Sequence, residues 1–418
     1  MLTCKRLFSS FAFLSICVLV FSQNNTNSPY TQYGYGKLAD QTFGQAQSMG
    51  GIGYGLRTSG QINPLNPASY SMVDSLTFLF DFGLTAEKNW LSDGENSQSN
   101  YNGNFSYLAM QFRLMKGLGV SIGLKPYSFV GYNYGSVTAI DNSYFQVAYN
   151  GTGALTQVYG GLGYELIKNT LSIGVNAGYT FGSINRNIYL AFPELTSATS
   201  VVQTHKVEAR DFHWEVGLQY STFIGKKDRL TIGSIFSPKQ NFSAGNDLVR
   251  NNETVPFNQN LQIPLNIGGG FSYVKGSQLT FGGDVLYQNW SDVSYPFSGK
   301  DLNGKDPSFN DRMKYSFGIE YVADPSYITR NYTKRIRYRL GGYYSDSYIN
   351  ANDSKINEYG ATVGIGFPFR LRGKESMVNI GAEYIKISPQ KELIDEQYFK
   401  LTLGITFSET WFRKYKFD

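Results

Sequence analysis

Cysteine is almost missing from this sequence: the two present, Cys4 and Cys17, both lie at the extreme N-terminus. That scarcity excludes a disulfide scaffold and a thiolate metal site from the body of the chain. Histidine is as rare. His205 and His213 stand eight positions apart on one expected strand, too far to share a metal without other donors. After Phe21 no apolar stretch reaches the roughly eighteen residues that a spanning helix needs, so a helical membrane protein is excluded. Charged residues make up 17% of the chain and leave a formal surplus of +5, too small to point to nucleic acid. Gly51, Gly53 and Gly55 are not followed by a GK[ST] triplet and no strand precedes them, so they do not form a phosphate loop. No enzymatic constellation remains, and no cofactor is expected.

What is abundant is glycine and aromatic residues: 45 Gly, 32 Tyr and 30 Phe, a composition of strands and turns. The N-terminus has its own layout. Lys5 and Arg6 precede an apolar run from Leu7 to Phe21, which ends at Ser22 and turns polar. This is a secretory signal with cleavage near Ser22, and residues 1–22 are expected to be removed. A lipoprotein signal around Leu14, Ser15, Ile16 and Cys17 is the competing reading, and the bulk of Ile16 speaks against it.

Beyond the signal, period-two alternation runs through nearly the whole chain. From Leu171 to Phe181 the odd positions are Leu171, Ile173, Val175, Ala177, Tyr179 and Phe181, with Ser172, Gly174, Asn176, Gly178 and Thr180 between them. Phe212, Trp214, Val216, Leu218 and Tyr220 alternate in the same way, as do Phe399, Leu401, Leu403, Ile405 and Phe407. A strand with one greasy and one polar face fits a soluble sandwich or a membrane barrel equally. Connection lengths separate the two.

Strands are expected at 75–86, 104–114, 118–127, 154–166, 171–181, 205–224, 229–236, 266–274, 278–290, 313–321, 336–345, 357–369, 375–385 and 398–407. Long Asn-, Ser- and Gly-rich connections alternate between them with short turns such as Lys168-Asn169 and Lys275-Gly276-Ser277; only 322–335 breaks the rule. That sorting is the mark of an outer-membrane barrel, whose periplasmic turns are short. The fold class expected is therefore all-β, a closed antiparallel transmembrane β-barrel of about fourteen strands, because hydrocarbon tolerates no unpaired sheet edge. Trp90 and Trp290 fall at expected outer strand ends and Trp411 just past the last strand, as interfacial aromatics would.

The expected domains are a signal peptide over 1–22, an N-terminal plug or hatch over 23–74, a barrel over 75–407 and a periplasmic tail over 408–418. The plug is rich in turn formers, including Gly44, Gly50, Gly51, Gly53, Gly55 and Gly60, and is large enough to fill the lumen. The aromatic and basic tail, from Glu409 to Phe417, suits a membrane-surface anchor or a partner.

Ser48-Met49-Gly50-Gly51 followed by Asn63-Pro64-Leu65-Asn66-Pro67-Ala68 resembles the hatch motif of the FadL-like family of long-chain fatty acid transporters. Ile263 to Tyr273, with Phe281 to Val285 and Asn289-Trp290-Ser291, is similar to that family's central hairpin, and Asn357 to Gly366 to its twelfth strand. The resemblance implies a fourteen-strand barrel with an N-terminal hatch, in which Asn63, Asn66, Pro67 and Ala68 belong to the hatch site. It also implies passive inward movement of hydrophobic molecules past the hatch and out through a gap at a kinked third strand. Pro126 is the candidate kink, and marking the strand's outer end is the alternative.

Arg335, Arg337 and Arg339 are expected to face the lumen, where guanidinium groups suit a carboxylate or phosphate headgroup. Pairing with Glu320, Asp284 and Glu383, also inward, is the alternative. Two function classes stay open: passive transport of hydrophobic or amphipathic small molecules, or a non-transporting barrel that docks partners in an outer-membrane export or assembly complex. The expected location is the outer membrane of a diderm bacterium. The expected contacts are membrane lipid and lipopolysaccharide, with a hydrophobic small molecule or other outer-membrane proteins as partners.

Overall fold

A computed structural model describes residues 26–411 except 141–142, 193–199, 243, 251–252, 257–260, 296–308, 327–330, 352–353, 372 and 391–392. The expected signal peptide and most of the expected tail lie outside the described residues. Fourteen long strands form the wall: β1 (Thr77–Ser92), β2 (Ser97–Met115), β3 (Leu118–Ile140), β4 (Ser143–Ile167), β5 (Leu171–Ala191), β6 (Val201–Ile224) and β7 (Asp228–Ser237), then β8 (Leu265–Lys275), β9 (Leu279–Asn289), β10 (Arg312–Val322), β11 (Arg337–Asp346), β12 (Ile356–Leu371), β13 (Lys374–Pro389) and β14 (Asp395–Thr410). Each pairs antiparallel with its neighbour, and β14 returns to β1 over the full length from Asp395↔Ser92 to Thr410↔Thr77. The sheet is a closed ring.

The alternation does what lipid requires. On β5, Ile173, Val175 and Phe181 are exposed on the outside while Ser172, Asn176 and Thr180 are buried. Phe212, Trp214, Leu218 and Tyr220 on β6 and Phe399, Leu401 and Leu403 on β14 are likewise exposed, as residues facing acyl chains are when only protein is counted.

The structure corrects several strand limits. The first six strands run well past the expected ends, so that Ser97 to Gly103 and Gly135 to Ile140 are ladder and not loop. The last strand continues to Thr410. Beyond the bilayer both faces of a hairpin meet water, so a strand there loses its apolar face and reads as a polar loop. The exceptional connection 323–336 contains, among its described residues, one 3-10 turn, Tyr332–Arg335. Trp290 is not interfacial: it is fully buried, 5.6 Å from Tyr35 and 4.3 Å from Tyr348 in ring-centroid distance. Trp90 is exposed near the long end of β1, and Trp411 stacks on Phe78 at 4.1 Å.

The segment from Thr26 to Val73 packs inside the ring. It begins at the long-loop end, where Tyr30 and Tyr35 join Tyr132, Leu155, Ile184, Val207, Trp290 and Tyr348 in an apolar core. It descends through Ala46, Met49, Ile52 and Leu56 and ends at a 3-10 helix, Pro67–Met72, near the short-turn end. Glycines let this segment touch the wall's backbone. A Cβ at Gly119 on β3 would overlap the Tyr70 carbonyl, and one at Gly341 on β11 would overlap the Gly50 amide.

Candidate functional site

The wall has an irregular seam between β2 and β3. β2 pairs with β1 along its whole length, from Phe78↔Phe112 to Ser92↔Ser97. Its ladder to β3 begins at Met115↔Leu118 and ends at Leu108↔Leu124. Beyond Leu124 the register of β3 on β4 shifts between Pro126 and Ser128. Proline brings no N–H to a ladder, so it sits where the ladder stops. Pro126 lies well inside β3, which continues to Ile140, beside this register shift and not at the strand's outer end.

The edge of β3 freed at this shift is taken by the N-terminal segment. Lys37 and Leu38 form a short strand antiparallel to Phe129 and Ser128. The Ala39 amide donates to the Tyr127 carbonyl (2.9 Å), the Ser28 amide to the Gly131 carbonyl (2.8 Å) and Gln41 Nε2 to the Pro126 carbonyl (2.9 Å). Next to this short strand a cavity of about 80 Å³ is bordered by Phe105 of β2, Pro126 and Phe129 of β3, and Leu38. It shares Lys37, Asp40, Glu383 and Lys400 with a larger lumen cavity of about 170 Å³.

The larger cavity is lined by charge. Arg312, Lys314, Lys400 and Lys37 face Asp40, Glu358, Glu383 and Glu396. Lys400 Nζ lies 3.6 Å from Glu383 and 3.9 Å from Glu87; Lys37 Nζ lies 3.5 Å from Glu87 and 3.3 Å above the Tyr398 ring centroid. Tyr343 donates to Glu358 (2.8 Å) and reaches Glu383 at 2.9 Å. Asp284 and Asp346 also border it, so acidic side chains outnumber basic ones six to four.

Below it, the hatch residues expected from the sequence act as ties. Asn63 Nδ2 donates to the Gly53 (2.6 Å) and Leu56 (3.0 Å) carbonyls. Asn66 Oδ1 caps the 3-10 helix at the Ala68 amide (3.1 Å), and its Nδ2 reaches the Tyr54 (2.9 Å) and Leu218 (3.1 Å) carbonyls. Pro67 opens that helix, and its carbonyl lies where a Cβ on Gly163 or Gly174 would be. None of Asn63, Asn66, Pro67 and Ala68 borders either cavity.

Asp284 borders the lumen cavity and accepts from the Gly53 (2.5 Å) and Tyr54 (2.9 Å) amides. Glu320 is buried and accepts from Arg339 Nε (2.6 Å), Arg337 Nη1 (2.9 Å) and Gln45 Nε2 (3.0 Å). The expected arginine stripe is therefore spent on cross-pairing. Arg335 ends the 3-10 turn before β11 and not the strand itself, with its guanidinium over the Tyr332 ring at 5.2 Å.

Sequence reading missed Lys400, Glu358 and Glu396, although all three alternate with outward residues on β12 and β14 and were open to the same parity argument. Lys37 and Asp40 gave no such signal, because the segment that carries them is irregular. His213 sits beside Gln157 inside the wall. Among the described residues no group of His, Cys, Asp or Glu is arranged to hold a metal.

The BamG family model matches residues 3–418. No curated protein sequence matches. Solved structures similar to this one include a Pseudomonas aeruginosa FadL homologue (TM-score 0.61, 10% identity, 89% of this chain and 99% of that one), the CymD monoaromatic hydrocarbon channel (0.59, 16%, 89% and 99%) and the Ralstonia pickettii toluene transporter TbuX (0.57, 14%, 88% and 98%). At these identities the likeness is one of fold, and the fold is that of a FadL-like outer-membrane transporter barrel.

Proposed function

Because the chain belongs to the BamG family and carries its FadL-like fold with the wall seam occupied, we propose that it is a non-conducting outer-membrane barrel. Its role is to dock partner proteins in an outer-membrane export or assembly complex. The observation that carries this reading is the short strand Lys37–Leu38, which pairs with β3 in the place β2 has left. The cavity behind it adds weight through its charged side chains: a hydrophobic cargo would strip solvation from Lys37, Lys400 and Glu383 without replacing it.

Passive transport of hydrophobic or amphipathic small molecules past the hatch is the second reading. It is favoured by the seam itself, since the small cavity beside Pro126 shares residues with the lumen cavity.

A disulfide lock separates the two. Leu38 and Ser128 are register partners, a spacing that a disulfide spans, and the chain past Cys17 has no other thiol. In L38C/S128C the docking role predicts that oxidised barrel, gently extracted, carries the same stoichiometric partner proteins as reduced barrel, and that uptake of hydrophobic compounds is the same for both. Recovery of a lone barrel, together with uptake that stops on oxidation, would overturn docking in favour of transport.

A further inference from the structure

The end of the barrel that carries Thr77 and Thr410 has six connections between strands. Each presents an exposed basic side chain: Lys116, Lys168, Lys226 beside Lys227, Lys275, Lys334 and Arg370. Acidic residues in these connections are engaged by neighbouring groups. Glu165 holds Arg57 (3.3 Å), Asp228 accepts from Tyr273 (2.7 Å), Asp324 from the Ser326 amide (2.9 Å), and Glu375 lies 3.6 Å from Arg337. Exposed cations on the six connections outnumber the solvent-facing carboxylates, of which Asp228 lies near Lys275. The first hairpin at the opposite end shows the reverse, with Asp93 and Glu95 exposed.

On three connections the basic residue directly follows an exposed apolar pair: Leu114 and Met115 before Lys116, Leu166 and Ile167 before Lys168, Phe223 and Ile224 just before Lys226. A step from acyl-facing side chain to cation within one or two residues sets the ammonium at the level of lipid phosphates. We infer that this rim is a phosphate-binding collar that holds anionic phospholipid of the membrane leaflet at the short-turn end. An acidic protein would need a patch on one sector. A lipid annulus needs cations on every connection, and that is the arrangement found.

The test uses the full chain refolded into phosphatidylcholine vesicles doped with spin-labelled phosphatidylglycerol or spin-labelled phosphatidylcholine, read as relative association by electron spin resonance. The collar predicts preference for phosphatidylglycerol, fading as salt shortens the Debye length. Each lysine at an anionic surface is worth up to about five-fold in association at low salt. K116Q/K168Q and K226Q/K227Q, each first shown to fold by gel mobility, are therefore expected to lower the preference, and K226R/K227R to restore it. Equal association of both labels with the unaltered chain would overturn the inference, as would glutamine variants that keep the full preference. Variants that lose a co-extracted protein while keeping lipid preference would also overturn it, and would assign the rim to a protein partner.

Discussion

Glu320 is the residue whose removal the structure says the barrel should tolerate least. Its carboxylate is buried between Arg339, whose side chain is fully buried, and Arg337, and it also holds Gln45 of the N-terminal segment. Glu320→Ala leaves the Arg339 charge facing the Asn379 amide oxygen at 2.6 Å, with no carboxylate in its place. Breaking one side of a buried pair costs about 3–5 kcal/mol. Arg339→Ala is expected to cost a similar amount, because Glu320 then keeps only the neutral Gln45 and the less deeply buried Arg337. The double variant should cost at least 1 kcal/mol less than the two singles summed, roughly the lower range for groups in contact. The assay is equilibrium urea unfolding of the refolded barrel in lipid, followed by tryptophan fluorescence, with the slope checked for constancy. Glu320→Ala within about 1 kcal/mol of the parent, or singles that simply add, would refute the reasoning.

Asp284→Ala orphans the buried Gly53 and Tyr54 amides and should destabilise by about 1–3 kcal/mol for each donor left unmet, whereas Asp284→Asn should recover most of that in the same unfolding assay. Gly341→Ala places a methyl where the Gly50 backbone lies; refolding yield by gel mobility should fall, or the N-terminal segment should become cleavable by added protease. Ala39→Pro removes the donor to the Tyr127 carbonyl; hydrogen exchange at Ser128 to Gly131 should speed up while the ladder from Leu118 to Leu124 keeps its protection. Unchanged exchange there would count against the short strand as a wall element.

The wall was readable in the sequence because each outward position on β5, β6 and β14 answers to one solvent and each inward position to another. Parity and a count of short turns were enough to give fourteen strands and closure. Where lipid stops acting, the signal stops too, which is why Ser97 to Gly103 looked like loop. The N-terminal segment was recognisable as turn-rich and plug-sized, but its ties were not. Gly53 meets Asp284 across 231 positions, and neither residue announces the other. The arginine stripe was half legible: alternation placed Arg337 and Arg339 correctly, while Arg335 fell in a 3-10 turn, where strand parity no longer applies.

The seam at Pro126 joins these strands of argument. In hydrocarbon an unpaired backbone group costs several kcal/mol, so a proline that ends one ladder obliges something else to satisfy the next few backbone groups on β3. Lys37 and Leu38 do so, and they can because Gly36, in the left-handed region at φ 79°, brings the segment against the Phe129 carbonyl where a side chain would not fit. The proline and the glycine are thus two halves of one device, encoded ninety residues apart. A barrel selected to pass cargo sideways gains from a vacant seam. One selected to remain closed while presenting its rims and loops to neighbours gains from a seam that its own N-terminal segment fills, and the pairing of Leu38 with Ser128 is the arrangement that the proposed docking role calls for.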